Sequence, residues 1–150
     1  MKNKIKSYII VLLLLISCEQ NTIKKERDFW SKAIENSNIA NNYQWIVVLP
    51  GVGCGGCIQV AEGFLKEHVK DTRIMFVITN PSSLKILQLK TGIKINEYSN
   101  VFLDTNKLFH LRSNNSIYPC VIKISNGKVT EHRFQKPGEN AFVYLKYSLQ

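Results

Sequence analysis

The sequence predicts an α/β fold, a mixed sheet flanked by helices. Three observations carry this. Trp45–Leu49 and Ile74–Ile78 are continuous apolar runs, the pattern of strands buried on both faces. A helical pattern separates them, so the two strands must run parallel. Asn126-Gly127 lies between two further runs and signals a tight antiparallel hairpin.

The elements follow in order. Lys2, Lys4 and Lys6 make a basic start, and Tyr8–Ile16 is an apolar run far short of the roughly 20 residues that span a bilayer as a helix. The pair has the form of a secretory signal peptide over residues 1–17. Glu19 to Lys25 is polar and reads as a tether. Asp28 to Ser37 reads as a short helix, with Phe29, Trp30, Ala33 and Ile34 on the face that packs at the domain edge. Asn36 to Asn42 is rich in asparagine and reads as a loop. Residues 18–42 thus read as a linker that carries a short helix, and residues 43–150 as the folded domain.

In that domain Gln44–Leu49 is a strand, Pro50-Gly51-Val52-Gly53 a turn, and Cys57–Lys70 a helix. The apolar side of the helix is Ile58, Ala61, Phe64, Leu65, His68 and Val69. Arg73–Thr79 is the next strand, ended by Asn80-Pro81-Ser82. Ser83–Lys90 reads as helix, with Leu84, Leu87 and either Leu89 or Ile86 inward. Asn100–Leu103 is a short strand, Lys107–Leu111 another short piece, and Ser113–Ser116 a polar turn. Cys120–Ser125 and Lys128–Phe134 form the hairpin. Pro137-Gly138 breaks the chain before a final helix, Glu139–Leu149.

Composition narrows the function. The formal charge is +9, three units of it from the first six residues, and the remaining lysines are scattered. No basic stripe interleaves with aromatics, which excludes nucleic acid as a partner. The excess favours loose contact with an anionic membrane surface. The chemistry lies in Cys54-Gly55-Gly56-Cys57, at a strand-to-helix junction. A helix N-terminus stabilises a thiolate and lowers the pKa of a cysteine in its first turn. The thiolate is the attacking species in disulfide exchange. Cys54 is the expected exposed nucleophile and Cys57 the shielded resolving thiol. Zinc also uses paired cysteines, but no further ligands follow at finger spacing. Cys120 reads as a small buried apolar residue, His68 as a core or boundary residue, and His110 and His132 as surface residues.

Leu15-Ile16-Ser17-Cys18 resembles the bacterial lipobox, in which the cysteine is lipidated and becomes the new N-terminus. The resemblance implies a lipid-anchored protein of the bacterial cell envelope, facing the periplasm or exterior, with Cys18 modified. The order of elements from Tyr43 onward resembles the thioredoxin superfamily, especially its exported redoxin branch. Three parts carry the likeness: Cys54-Gly55-Gly56-Cys57, Val101–Asp104 followed by Lys107-Leu108-Phe109, and Tyr118-Pro119 before the hairpin. It implies a thioredoxin-like sheet, a cis bond at Pro119, and substrate contact at Tyr118 and Pro119. The chain departs from the family in two places. Gly53 stands where many relatives have tryptophan, and Val48 where many bury an acid. With the spacer Gly55-Gly56, the direction of electron flow does not carry over.

The expected function is a membrane-anchored thiol-disulfide oxidoreductase. It exchanges disulfides with exported proteins, draws on a separate redox partner, and needs no metal or organic cofactor. Two other functions fit the same residues. One is a metallochaperone holding Cu(I) on Cys54 and Cys57, with His132 the only strand histidine on hand. The other is an interaction module of thioredoxin fold whose dithiol is vestigial.

Overall fold

The computed structural model describes the backbone of residues 2–39 and 42–150, with side chains from Gln20 onward. The side chain of Cys18 and those of residues 1–17 lie outside the described residues, and with them the signal-peptide and lipidation expectations. Among the described residues, no helix is long and apolar enough to cross a membrane.

The fold is α/β and thioredoxin-like: the described residues form four α-helices and a five-stranded mixed sheet in the order β3-β2-β1-β4-β5. The elements are α1 (Lys2–Ser37), β1 (Trp45–Pro50), α2 (Gly55–His68), β2 (Ile74–Thr79), α3 (Leu84–Thr91), β3 (Val101–Asp104), β4 (Cys120–Ser125), β5 (Lys128–Phe134) and α4 (Ala141–Ser148). β1 pairs parallel with β2, and β2 with β3; β4 is antiparallel to both β1 and β5. The Asn126-Gly127 turn has φ of 51° and 71°, the left-handed pair that a two-residue hairpin requires.

Every residue of β1 and β2 is buried, as their unbroken apolar runs demand. Alternation along the strands then feeds two cores. Trp45, Val47, Leu49, Ile74 and Phe76 face Ala61, Phe64 and Leu65 of α2 and Phe142 and Leu145 of α4. Ile46, Val48, Met75, Val77 and Ile122 face Trp30 and Ala33 of α1, with Phe109 and Leu111 from the loop after β3. Asp104 folds that loop, its carboxylate accepting the N–H groups of Leu108 and Phe109 at 2.9 and 2.8 Å. Each fully buried side chain of this size contributes roughly 1.5–3 kcal/mol.

Three expectations are corrected here. α1 is one helix through residues 19–25, where a polar tether was the expectation. Its Lys, Glu, Gln and Arg are strong helix formers, and the chain contains no glycine or proline before Pro50. In α3, Leu87 is buried, whereas Leu89 and Ile86 are 75% and 53% exposed. α3 is only two turns long and packs through a narrow stripe of Leu84 and Leu87 on Ile78 and Ile95. Finally, His132 is no surface residue: its side chain is 4% exposed. It packs edge-on against Phe134 and meets Glu26 of α1 at 2.9 Å.

Candidate functional site

The turn after β1 determines how the two cysteines are presented. The Gly51 N–H donates to the Thr79 carbonyl at 2.9 Å, and a Cβ on Gly51 would overlap the Asn80 carbonyl. This holds the turn against the end of β2. Gly53 then passes the Ile117 backbone with no room for a side chain, at φ 154°. The Cys54 N–H donates to the Ile117 carbonyl at 3.0 Å. Cys54 is the N-cap of α2, and its carbonyl accepts the first helical bond, from the Ile58 N–H at 2.9 Å.

Cys54 and Cys57 form a disulfide, with Cα atoms 5.3 Å apart. That separation is inside the range a disulfide needs. Cys54 is half-buried, while Cys57 is 5% exposed. Cys54 is thus the more exposed residue of the pair. Gly55 and Gly56 are exposed, with nothing near their Cα atoms. No acidic residue occupies the first turn of α2, so the positive end of its dipole is uncompensated. The arrangement can hold a thiolate at Cys54 and close it reversibly onto Cys57.

A cavity of about 250 Å³ opens beside the turn. Val52, Ile58, Pro81 and Ile86 line it, and the Glu62–Lys90 ion pair at 3.4 Å stands among its walls.

The other expected site residues fall nearby, with one correction. The Tyr118–Pro119 peptide is trans, as every described peptide bond is. Trans is the default for X–Pro by about 0.5–1 kcal/mol. Here a 3₁₀ turn, Asn114–Ile117, delivers Tyr118 in an extended conformation (φ −105°, ψ 141°) straight into β4. Pro119 is buried, and its carbonyl accepts the Gln135 N–H at 2.8 Å. Tyr118 is half-buried, and its N–H donates to the Asn115 carbonyl at 3.1 Å. It is Ile117, 43% exposed, that touches the Gly53–Cys54 turn. The sequence gives no sign of this, because the contact is between backbones.

Cys120 sits opposite Val48 in the sheet and is a free, buried thiol. Burial pushes its pKa well above the usual thiol value, and the nearby Glu26 charge adds to this. It is an inert core residue. His68 stacks on Phe64 with ring centres 4.2 Å apart, a boundary position as expected, and His110 is exposed. Among the described residues, no three His, Cys, Asp or Glu side chains converge as a metal-binding group. No protein-family model and no curated protein sequence matches the chain.

These environments order the three thiols. In the reduced, folded protein Cys54 is expected to react with iodoacetamide at least about tenfold faster than Cys57 or Cys120, because it joins exposure to a helix N-terminus. Peptide mapping after timed quenching reads the rates. Equal labelling of all three would remove Cys54 from the nucleophile's role.

Proposed function

We propose that the protein is a thiol-disulfide oxidoreductase related to the thioredoxin superfamily, tethered to a bacterial membrane by lipid on Cys18, and acting on exported proteins. One observation carries the redox part. A Cys54–Cys57 disulfide lies at the start of α2, with the first cysteine half-buried and the second buried. The basic start, short apolar run and lipobox-like Leu15-Ile16-Ser17-Cys18 support the anchor.

The chemistry proceeds in two exchanges. The Cys54 thiolate attacks a disulfide sulfur of the partner, forming a mixed disulfide and releasing one partner thiolate. The Cys57 thiolate then attacks the Cys54 sulfur. The Cys54–Cys57 disulfide closes and the second partner thiolate leaves. Two electrons have passed to the partner, and a second dithiol protein must return two electrons to Cys54–Cys57. Oxidation of a partner is the same sequence in reverse. Ile117, Tyr118 and Pro119 form the chain segment beside Cys54, which favours them as the contact for the partner's backbone.

The copper reading loses its histidine. Nε2 of His132 is engaged with Glu26 in a buried pair. Turnover tests the proposal: the protein should catalyse reduction of insulin disulfides by dithiothreitol, and the Cys54→Ser variant should not. No acceleration over the uncatalysed rate would refute it. The potential of the pair gives the direction, near roughly −270 mV for a reductase and near −120 mV for an oxidant.

A further inference from the structure

Glu26 is a carboxylate in the interior, 7% exposed, on the face of α1 that also carries Phe29, Trp30 and Ala33. A buried charge is costly unless its atoms are partnered. Both oxygens are. Oε1 accepts the Asn115 side-chain N–H at 2.7 Å, and Oε2 meets Nε2 of His132 at 2.9 Å.

The two bonds have different consequences. His132 joins α1 to β5, which the packing of Trp30 on Phe134 and Phe109 already does. Asn115 is different. It belongs to the 3₁₀ turn Asn114–Ile117, of which no residue is buried. Apolar packing therefore does little to hold this turn. Besides the backbone bonds from Ser116 N–H to the Ser113 carbonyl and from Tyr118 N–H to the Asn115 carbonyl, Asn115 is held by the Ser113 hydroxyl, which accepts its N–H at 3.2 Å, and by the Glu26 carboxylate. Two residues on, the Ile117 carbonyl accepts the N–H of Cys54, and its backbone lies against Gly53. A continuous path thus runs from Glu26 through Asn115 and Ile117 to the cap of α2.

We propose that Glu26 is a positioning residue for the dithiol, acting through Asn115 to hold the Ile117 backbone against Cys54. The inference rests on the oxidoreductase reading for its purpose, but its geometry does not depend on it. A Cys54 held in place sits close to Cys57, and a fixed pair closes a disulfide more readily than a loose one. The helix that leads in from the N-terminus is then part of the site's framework.

The exchange with glutathione reads this without any partner protein. In it, the protein disulfide and two glutathiones give the protein dithiol and one glutathione disulfide. Loss of the Asn115 side chain in Asn115→Ala should shift the balance toward the dithiol by on the order of tenfold. Glu26→Ala should shift it equally, and the double variant no further than either. Glu26→Gln keeps an acceptor for Asn115 and should stay near wild type. Ile34→Ala, a packing change on α1, should lower thermal stability and leave the balance unchanged. An Asn115→Ala constant within about twofold of wild type would overturn the proposal, as would additive single variants or an equal shift in Ile34→Ala. Should Glu26→Ala not fold, Asn115→Ala, at a half-buried position in a turn with no buried residue, still decides. A wild type that fails on insulin yet shows these shifts would sink the proposed function and leave the positioning role standing.

Discussion

A Cys57→Ser variant is expected to accumulate covalent adducts with exported proteins, visible as a ladder on a non-reducing gel and abolished by reductant. Cys54 is the more exposed cysteine and Cys57 the buried one, so the first attack is expected to survive the substitution. The second attack does not. A resolving thiol already in contact acts at a large effective concentration, so its loss should slow release by at least about a hundredfold. Serine is close to cysteine in size and leaves the start of α2 intact. Cys54→Ser should give few adducts, because Cys57 is shielded and Cys120 is both buried and held protonated by that burial. Equal ladders from the two variants would contradict the assigned roles.

The parts of the fold that are legible in the sequence are those where one face or one turn decides. β1 and β2 announce themselves because both faces are buried, and the Asn126-Gly127 hairpin because few other dipeptides accept two left-handed residues. The dithiol is legible for the same reason, two cysteines fixed at a strand-to-helix junction. What the sequence hides is long-range. Residues 19–25 look like a tether by polarity alone. The absence of glycine and proline before Pro50 is the signal that outweighs it. Glu26 shares the helical spacing of Phe29, Trp30 and Ala33, so a charge lies on an apolar stripe. His132 shares the strand spacing of Phe134. Each looks like a solvated residue until the other is placed beside it, 106 positions away. The trans bond at Pro119 shows the converse: a resemblance implies a local geometry that this chain's 3₁₀ turn does not adopt.

Gly53→Ala is expected to be a strongly damaging single-methyl change at the site. Its Cβ would overlap the carbonyl and Cα of Ile117, which are backbone and cannot swing aside as a flexible side chain would. The residue also holds φ at 154°, which L side chains rarely adopt. Overpacking costs about 1–3 kcal/mol and a strained backbone conformation a similar amount, so a loss of about 2–6 kcal/mol is expected. If the chain relieves the clash by moving Ile117 away, the Cys54 N–H loses its acceptor and the dithiol its wall. Gly56→Ala is the matched comparison. It adds the same methyl two residues past the first cysteine, in the first turn of α2 and in open space. Alanine there should be neutral or stabilise the helix by up to about 1 kcal/mol. Chemical denaturation of the oxidised proteins measures both. A Gly53→Ala variant as stable as Gly56→Ala would mean that the Ile117 segment yields freely, and that it does not hold Cys54 in place.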